Sequence, residues 1–263
     1  MNKISTERME SQLVRKNLKD EFRKADLPVK VCGTPEDFSS RIISQGSQES
    51  FLMDIRTQKG GKNERNEVFY LYPGKGNNVK ILDTNKKLQQ AILRVEEPDR
   101  VLVTKQHIWD MDVRKYRVEN VEQQIVGGEK WFLVGMDEMH LFVAQLDRPA
   151  SSVSEAHGNL RPKTLKNKSH AAFKRQGEWF FTPADRKTLV RLDSLSETEI
   201  HRNVGLGRAY ARLAGRPHIV DESAILDGIE YARGSVKHPD HKTKTLSNWH
   251  RVTKNTEQAA PEI

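Results

Sequence analysis

The sequence predicts an α+β fold: an N-terminal amphipathic helix, an antiparallel β meander to about residue 147, and a smaller β-rich part after it. Three observations carry this. Apolar residues recur at three- and four-residue steps near the N-terminus. From residue 51 they gather instead in short runs with partial alternation, the pattern of half-buried strands. The gaps between those runs are mostly too short for crossover helices, so the strands are expected to pair antiparallel.

In chain order, Met9, Leu13, Val14, Leu18, Phe22 and Ala25 form one stripe of a helix over residues 5–25, with Ser5 or Thr6 as cap and Pro28 past its end. Such a stripe packs against a core. It also suits self-association through Met9, Leu13, Leu18 and Phe22. Pro28 to Gly33 reads as a short β segment. Thr34-Pro35-Glu36-Asp37 opens a helix reaching Ile43, with proline at the first helical position and acids in the first turn. Ser44 to Ser50 reads as a loop and Lys59 to Asn66 as a charged connector.

Strands are expected at Phe51 to Arg56, Val68 to Tyr72, Val79 to Leu82, Ala91 to Val95 and Val101 to Val103. Residues 105–117 read as an irregular patch. Gly127-Gly128 predicts a tight hairpin joining Val118–Val126 to Lys130–Val134, because adjacent glycines supply positive φ. A turn at Met136-Asp137-Glu138 leads into a third strand, Met139 to Leu146.

Arg148-Pro149-Ala150-Ser151-Ser152 marks a boundary, giving parts 1–147 and 151–255 with a mobile tail at 256–263. A short helix follows from Val153 to Leu160. Phe173 to Pro183 reads as β structure around a turn at Gly177. Ser194 to Asn203 reads as a helix with a Ser196/Glu199 capping box, while Gly205 to Arg216 shows no period. Strands at about 229–236, 242–246 and 249–253 complete the order.

The charge distribution separates the two parts. Residues 1–150 carry 25 Lys/Arg against 23 Asp/Glu, whereas residues 151–263 carry 19 against 13, so most of the formal +8 lies in the C-terminal part. An excess of cations favours acidic partners such as nucleic acid. The cations that would hold phosphates are Lys174, Arg175, Lys237, Lys242, Lys244 and Arg251, with Trp249 as a stacking platform. Lys242 and Lys244 share one strand face. Lys163, Lys166 and Lys168 could extend the surface. The single cysteine, Cys32, excludes an intramolecular disulfide and suits a reducing compartment. With no run of about 18 apolar residues and no apolar region after the first lysine, the chain reads as cytoplasmic, with no membrane partner.

Residues 234–252 gather three of nine histidines: His238, His241 and His250. Imidazole suits zinc and related divalent ions, and catalytic zinc commonly takes three protein ligands. Pro239 excludes a helical version of this site, but a turn brings His238 and His241 together and a facing strand could present His250. Such a centre would serve a metal-dependent hydrolase. Glu178, Asp185, His218, Asp221 and Glu222 lie in the same part, which allows a carboxylate–histidine pair. Neither a Walker-type loop nor a dinucleotide fingerprint occurs, and the missing Walker-type loop excludes the nucleotide hydrolysis it would support.

Three patches, Phe51 to Ile55, Lys174 to Phe181 and Gly234 to Val252, resemble a family of uncharacterised bacterial proteins. The resemblance implies no activity. It implies that both parts belong to one ancestral unit. Three classes of function therefore follow from the sequence: a nucleic-acid-binding protein, a metal-dependent hydrolase, and an assembly or adaptor protein.

Overall fold

A computed structural model describes residues 3–38, 48–59, 65–111, 114–208 and 216–256, with the backbone alone for 3–11, 59, 65, 102–105, 110, 123 and 170. The protein is mostly β with a few helices, and its strands form several sheets. The chain divides into two compact units: residues 1–136, 141–156 and 258–263 make the first, residues 137–140 and 157–257 the second. No helix among the described residues is long and apolar enough to cross a membrane.

In the first unit α1 (Lys3–Lys24) ends where Asp26 adopts φ 59° and Leu27 N–H returns to the Phe22 carbonyl at 3.0 Å. This left-handed cap stops the helix before Pro28. Leu18, Phe22 and Ala25 are buried, and the Phe22 ring meets Phe69 edge-on at 5.7 Å. Leu18 and Phe22 are thus core residues and cannot serve self-association. Leu13 stays 59 % exposed, and the Met9 side chain lies outside the described residues.

β1 (Val29–Val31) runs parallel to β3 (Arg65–Tyr72), with α2 (Pro35–Phe38) and β2 (Leu52–Lys59) between them in sequence, and β3 pairs antiparallel with β2. Thr34 and Asp37 cap α2 reciprocally, each side chain accepting the other's N–H at 3.3 Å. Its expected continuation to Ile43, most of the loop that follows, and the middle of the 59–66 connector lie outside the described residues. A second sheet, in the order β4-β5-β8-β9, contains β4 (Asn78–Asn85), β5 (Gln90–Glu97), β8 (Gly128–Asp137) and β9 (His140–Leu146). Leu18, Phe22, Phe69, Leu71, Leu93, Val95 and Val134 share one core. Cys32 is 2 % exposed in a smaller cluster with Phe38, Leu52 and Tyr72, and burial pushes its thiol pKa up.

Between β5 and β8 the chain makes an excursion. β6 (Arg100–Asp110) and β7 (Lys115–Ile125) pair through eleven residues each as a two-stranded ribbon. Residues 105–110 and 115–117 are therefore part of a regular ribbon, not an irregular patch. With water on much of its surface a ribbon buries no continuous face, so its sequence lacks clean alternation. Trp109 and Tyr116 are both exposed and meet edge-on at 4.9 Å.

Gly127-Gly128 does not form the expected hairpin either, because β7 pairs with β6 whereas β8 pairs with β5 and β9. Gly127 is instead required by close approach. A Cβ there would sit 2.0 Å from the Glu97 carbonyl oxygen, and its N–H donates to Asp99 at 2.7 Å.

The unit boundary falls within α3 (Val153–Leu160). The second unit is built on one six-stranded sheet in the order β10-β11-β15-β14-β13-β12, every pair antiparallel. Its strands are β10 (Lys174–Gln176), β11 (Trp179–Pro183), β12 (His201–Gly205), β13 (Ile219–Leu226), β14 (Ile229–His238) and β15 (His241–Lys254). Trp179, Phe181, Val220, Ala232, Val236, Leu246 and Val252 form one core cluster, and Ala224, Tyr231 and Trp249 form another with Leu192 of α4 (Arg186–Asp193).

Three local expectations need correction here. The helix lies at 186–193, capped by Asp185 accepting from Thr188 N–H at 2.9 Å, not at 194–203. Ser196 does donate to Glu199, at 2.9 Å from the backbone and 2.6 Å from the hydroxyl, but the pair closes a turn that enters β12. The pieces at 242–246 and 249–253 are one strand, β15. A register shift against β14 between Ala232 and Gly234 absorbs the interruption that Ser247-Asn248 makes in the apolar pattern. β13 is not evident from sequence because a similar shift between Val220 and Glu222 breaks its alternation. Much of the stretch 205–216, and the tail beyond Thr256, lie outside the described residues.

Candidate metal centre

The second unit brings three imidazoles together. His238 ends β14 and His241 begins β15, and they face each other across the two-residue turn Pro239-Asp240. Proline fixes φ at this turn, and Asp240 N–H donates to His238 Nδ1 at 3.2 Å. His218 precedes β13, its carbonyl accepting from Leu206 N–H at 2.8 Å. Ring centroids lie 4.2 Å apart for His218–His238, 5.4 Å for His218–His241 and 5.1 Å for His238–His241. One ring nitrogen from each residue lies within 4.8 Å of the other two.

The turn between β10 and β11 supplies the fourth wall. Gly177 has φ 55°, and a Cβ built on it would stand 2.9 Å from His241 Nε2 and 3.2 Å from His218 Nε2. Both Nε2 atoms therefore border the small volume that only glycine leaves open. Gln176, buried beside this turn, holds it against the sheet by donating to the carbonyls of Val236 at 3.3 Å and Lys242 at 2.6 Å.

His218 is 3 % exposed, and neither ring nitrogen has a hydrogen-bond partner. Burial pushes its pKa down to about 3, with further lowering from His238 and His241 and a smaller opposing effect of Asp240. It is thus neutral at physiological pH, the form that ligates metals. A buried polar group without a partner costs about 1–3 kcal/mol, so two such nitrogens on one ring call for a ligand. Carboxylates stand at the ring edges: Glu178 Oε1 is 3.9 Å from His218 Nδ1, and Asp240 Oδ2 is 3.8 Å from His238 Nδ1. The other Asp240 oxygen lies 3.5 Å from His140 Nε2. His238 Nε2 faces the Arg216 carbonyl at 3.2 Å, so ligation through His238 would exchange this contact or that of Nδ1 with the Asp240 N–H.

Of the histidines expected at a metal site, His238 and His241 meet and His250 does not join them. His250 pairs with Ala232 and Pro183 further along the sheet, is 4 % exposed, and places Nδ1 2.6 Å from the Asn248 carbonyl. The third ring is His218, whose distance in sequence from the hairpin gave no spacing signal. Only its place beside Glu178 among carboxylates and histidines of the same part pointed to it.

The residues expected to hold nucleic acid are scattered in role. Trp249 is 1 % exposed, with the Arg233 guanidinium 4.6 Å over its ring and its Nε1–H donating to Asp193 at 3.1 Å, so it offers no platform to a base. Lys237 is paired with Asp221 at 3.4 Å, and Lys174 donates to the Thr245 carbonyl at 2.5 Å. Arg175 donates to the Gly177 carbonyl at 2.8 Å and covers Phe180. Arg251 and Lys244 are both half-buried, and Lys242 is exposed.

No protein-family model, curated protein or solved structure matches the chain.

Proposed function

We propose that the protein is a metal-binding protein whose second unit coordinates one divalent late transition metal, zinc by ligand type, through His218, His238 and His241. The observation that carries this reading is the buried His218 ring, with both nitrogens unpartnered, against two further imidazoles within ligating distance of a shared ion. Three imidazole nitrogen donors with no thiolate favour zinc, copper(II) or nickel over calcium or magnesium, which prefer oxygen. Three protein ligands are also the number at catalytic zinc sites, where water completes the tetrahedron. Hydrolysis is accordingly the first activity to assay on the loaded protein.

Nucleic-acid binding through the basic C-terminal part would rest on the exposed Lys174, Lys237 and Lys242, the first two of which already have partners, and no specific contact favours it.

The test is metal stoichiometry and affinity on the full chain. Zinc at one equivalent per chain is expected. It should be lost, with affinity down at least 100-fold, in His218→Ala and His241→Ala, and retained in His250→Ala. Zinc-free protein that takes up no zinc, nickel or copper(II) at micromolar concentrations would end this reading.

A further inference from the structure

We propose that Glu178 is a positioning residue for the metal centre: it accepts the Nδ1–H of His218 and so leaves Nε2 as the ligating atom. This rests on the metal reading above. A neutral imidazole carries its one ring proton on either nitrogen, and only the other nitrogen has a lone pair for a metal. In His218 the two nitrogens have different surroundings. Nε2 borders the volume left open by Gly177, where His241 Nε2 also points. The carboxylate beside Nδ1 is Glu178, whose Oε1 lies 3.9 Å away.

The backbone fixes this relation. Glu178 directly follows Gly177 in the turn between β10 and β11, and its own carbonyl accepts from Asn255 N–H at 2.8 Å. Its side chain is one-third exposed and retains rotamer freedom, so closing from 3.9 Å to hydrogen-bond distance requires no movement of the sheet. A carboxylate on the far nitrogen fixes the tautomer, orients the ring and raises the basicity of the ligating atom. The same geometry separates this role from that of a general base. Glu178 faces the nitrogen turned away from the shared volume, whereas a base would have to face a water bound within it.

The experiment compares zinc affinity, by competition with a chromophoric chelator, and the cobalt(II) absorption spectrum for the full-length wild type, Glu178→Ala, Glu178→Gln and His218→Ala. Loss of the carboxylate in Glu178→Ala should weaken zinc 10- to 100-fold and shift the cobalt band. Glu178→Gln retains a carbonyl that accepts Nδ1–H and should recover most of the affinity. The melting temperature of the metal-free protein should be the same for wild type and both Glu178 variants. Wild-type affinity and an unshifted cobalt band in Glu178→Ala, with binding lost in His218→Ala, would overturn the role of Glu178 while leaving the metal site in place. An equal loss in Glu178→Ala and Glu178→Gln, together with a lowered metal-free melting temperature, would make the role purely structural and also overturn it. Failure of the wild type to bind zinc or cobalt would remove the metal site itself.

Discussion

Gly177 shows how one missing side chain shapes the centre. Its φ of 55° disfavours a Cβ, and a Cβ there would crowd two imidazole nitrogens at 2.9 and 3.2 Å. Gly177→Ala is expected to cost about 1–3 kcal/mol from the strained conformation and to weaken zinc at least tenfold. Urea unfolding of the metal-free protein and a zinc titration measure the two effects separately.

His250 makes a prediction of another kind. Burial holds its pKa below the usual histidine value, against a smaller opposing effect of the Asn248 carbonyl, so the folded ring stays neutral after the unfolded one has taken a proton. A depressed histidine pKa contributes stability that is complete above the unfolded value near 6.5 and is lost as pH falls below it. Metal-free His250→Gln should therefore lose less stability than wild type between pH 7.5 and pH 5.5. One such group accounts for at most about 1.4 kcal/mol per pH unit, and paired urea titrations at the two pH values give the difference.

Single residues also mark where the sequence was readable. His238 and His241 were legible as neighbours because Pro239 and Asp240 make a turn between them. His218 was not, since the register of a sheet sets its position and no local spacing records that register.

At the scale of elements, legibility followed burial. α1 was read from its stripe, and the half of that stripe that packs is its C-terminal end. Phe22→Ala should cost about 3–5 kcal/mol as a cavity beside Phe69, whereas Leu13→Ala should change stability by no more than about 0.5 kcal/mol. Chemical denaturation of the two variants tests that division. The strands lining the core, β3, β5 and β8, were legible for the same reason. Of the β6–β7 ribbon only Val101–Val103 and Val118–Val126 were read as strands, and their pairing was missed, because a pair of strands in water has no apolar face to announce it. Short α4 was hidden by its polar first turn and β13 by a register shift that interrupts alternation, while a similar shift made β15 read as two pieces. The glycines at 127 and 128 misled because glycine signals either a tight turn or a close approach, and composition cannot separate the two.

For the whole molecule, two compact units with separate core clusters imply that a ligand of the second unit stabilises the elements it touches. Zinc at 100 times its dissociation constant would add about 2.7 kcal/mol to the unfolding free energy of the structure that holds it. Hydrogen exchange should slow on zinc addition in peptides covering 174–183, 218–226 and 229–250, with β3 and β5 serving as the reference for exchange unrelated to the site. Slowing confined to the reference strands would place the ion elsewhere.

The burial of Cys32 has a practical consequence. This lone thiol is shielded by Phe38, Leu52 and Tyr72, so a thiol reagent reaches it only when that cluster opens. With no second cysteine to react, the rate of modification divided by that of an unshielded thiol gives the opening equilibrium of that cluster directly, without any introduced label. Any change in that ratio when zinc is added to the second unit is a coupling free energy between the two.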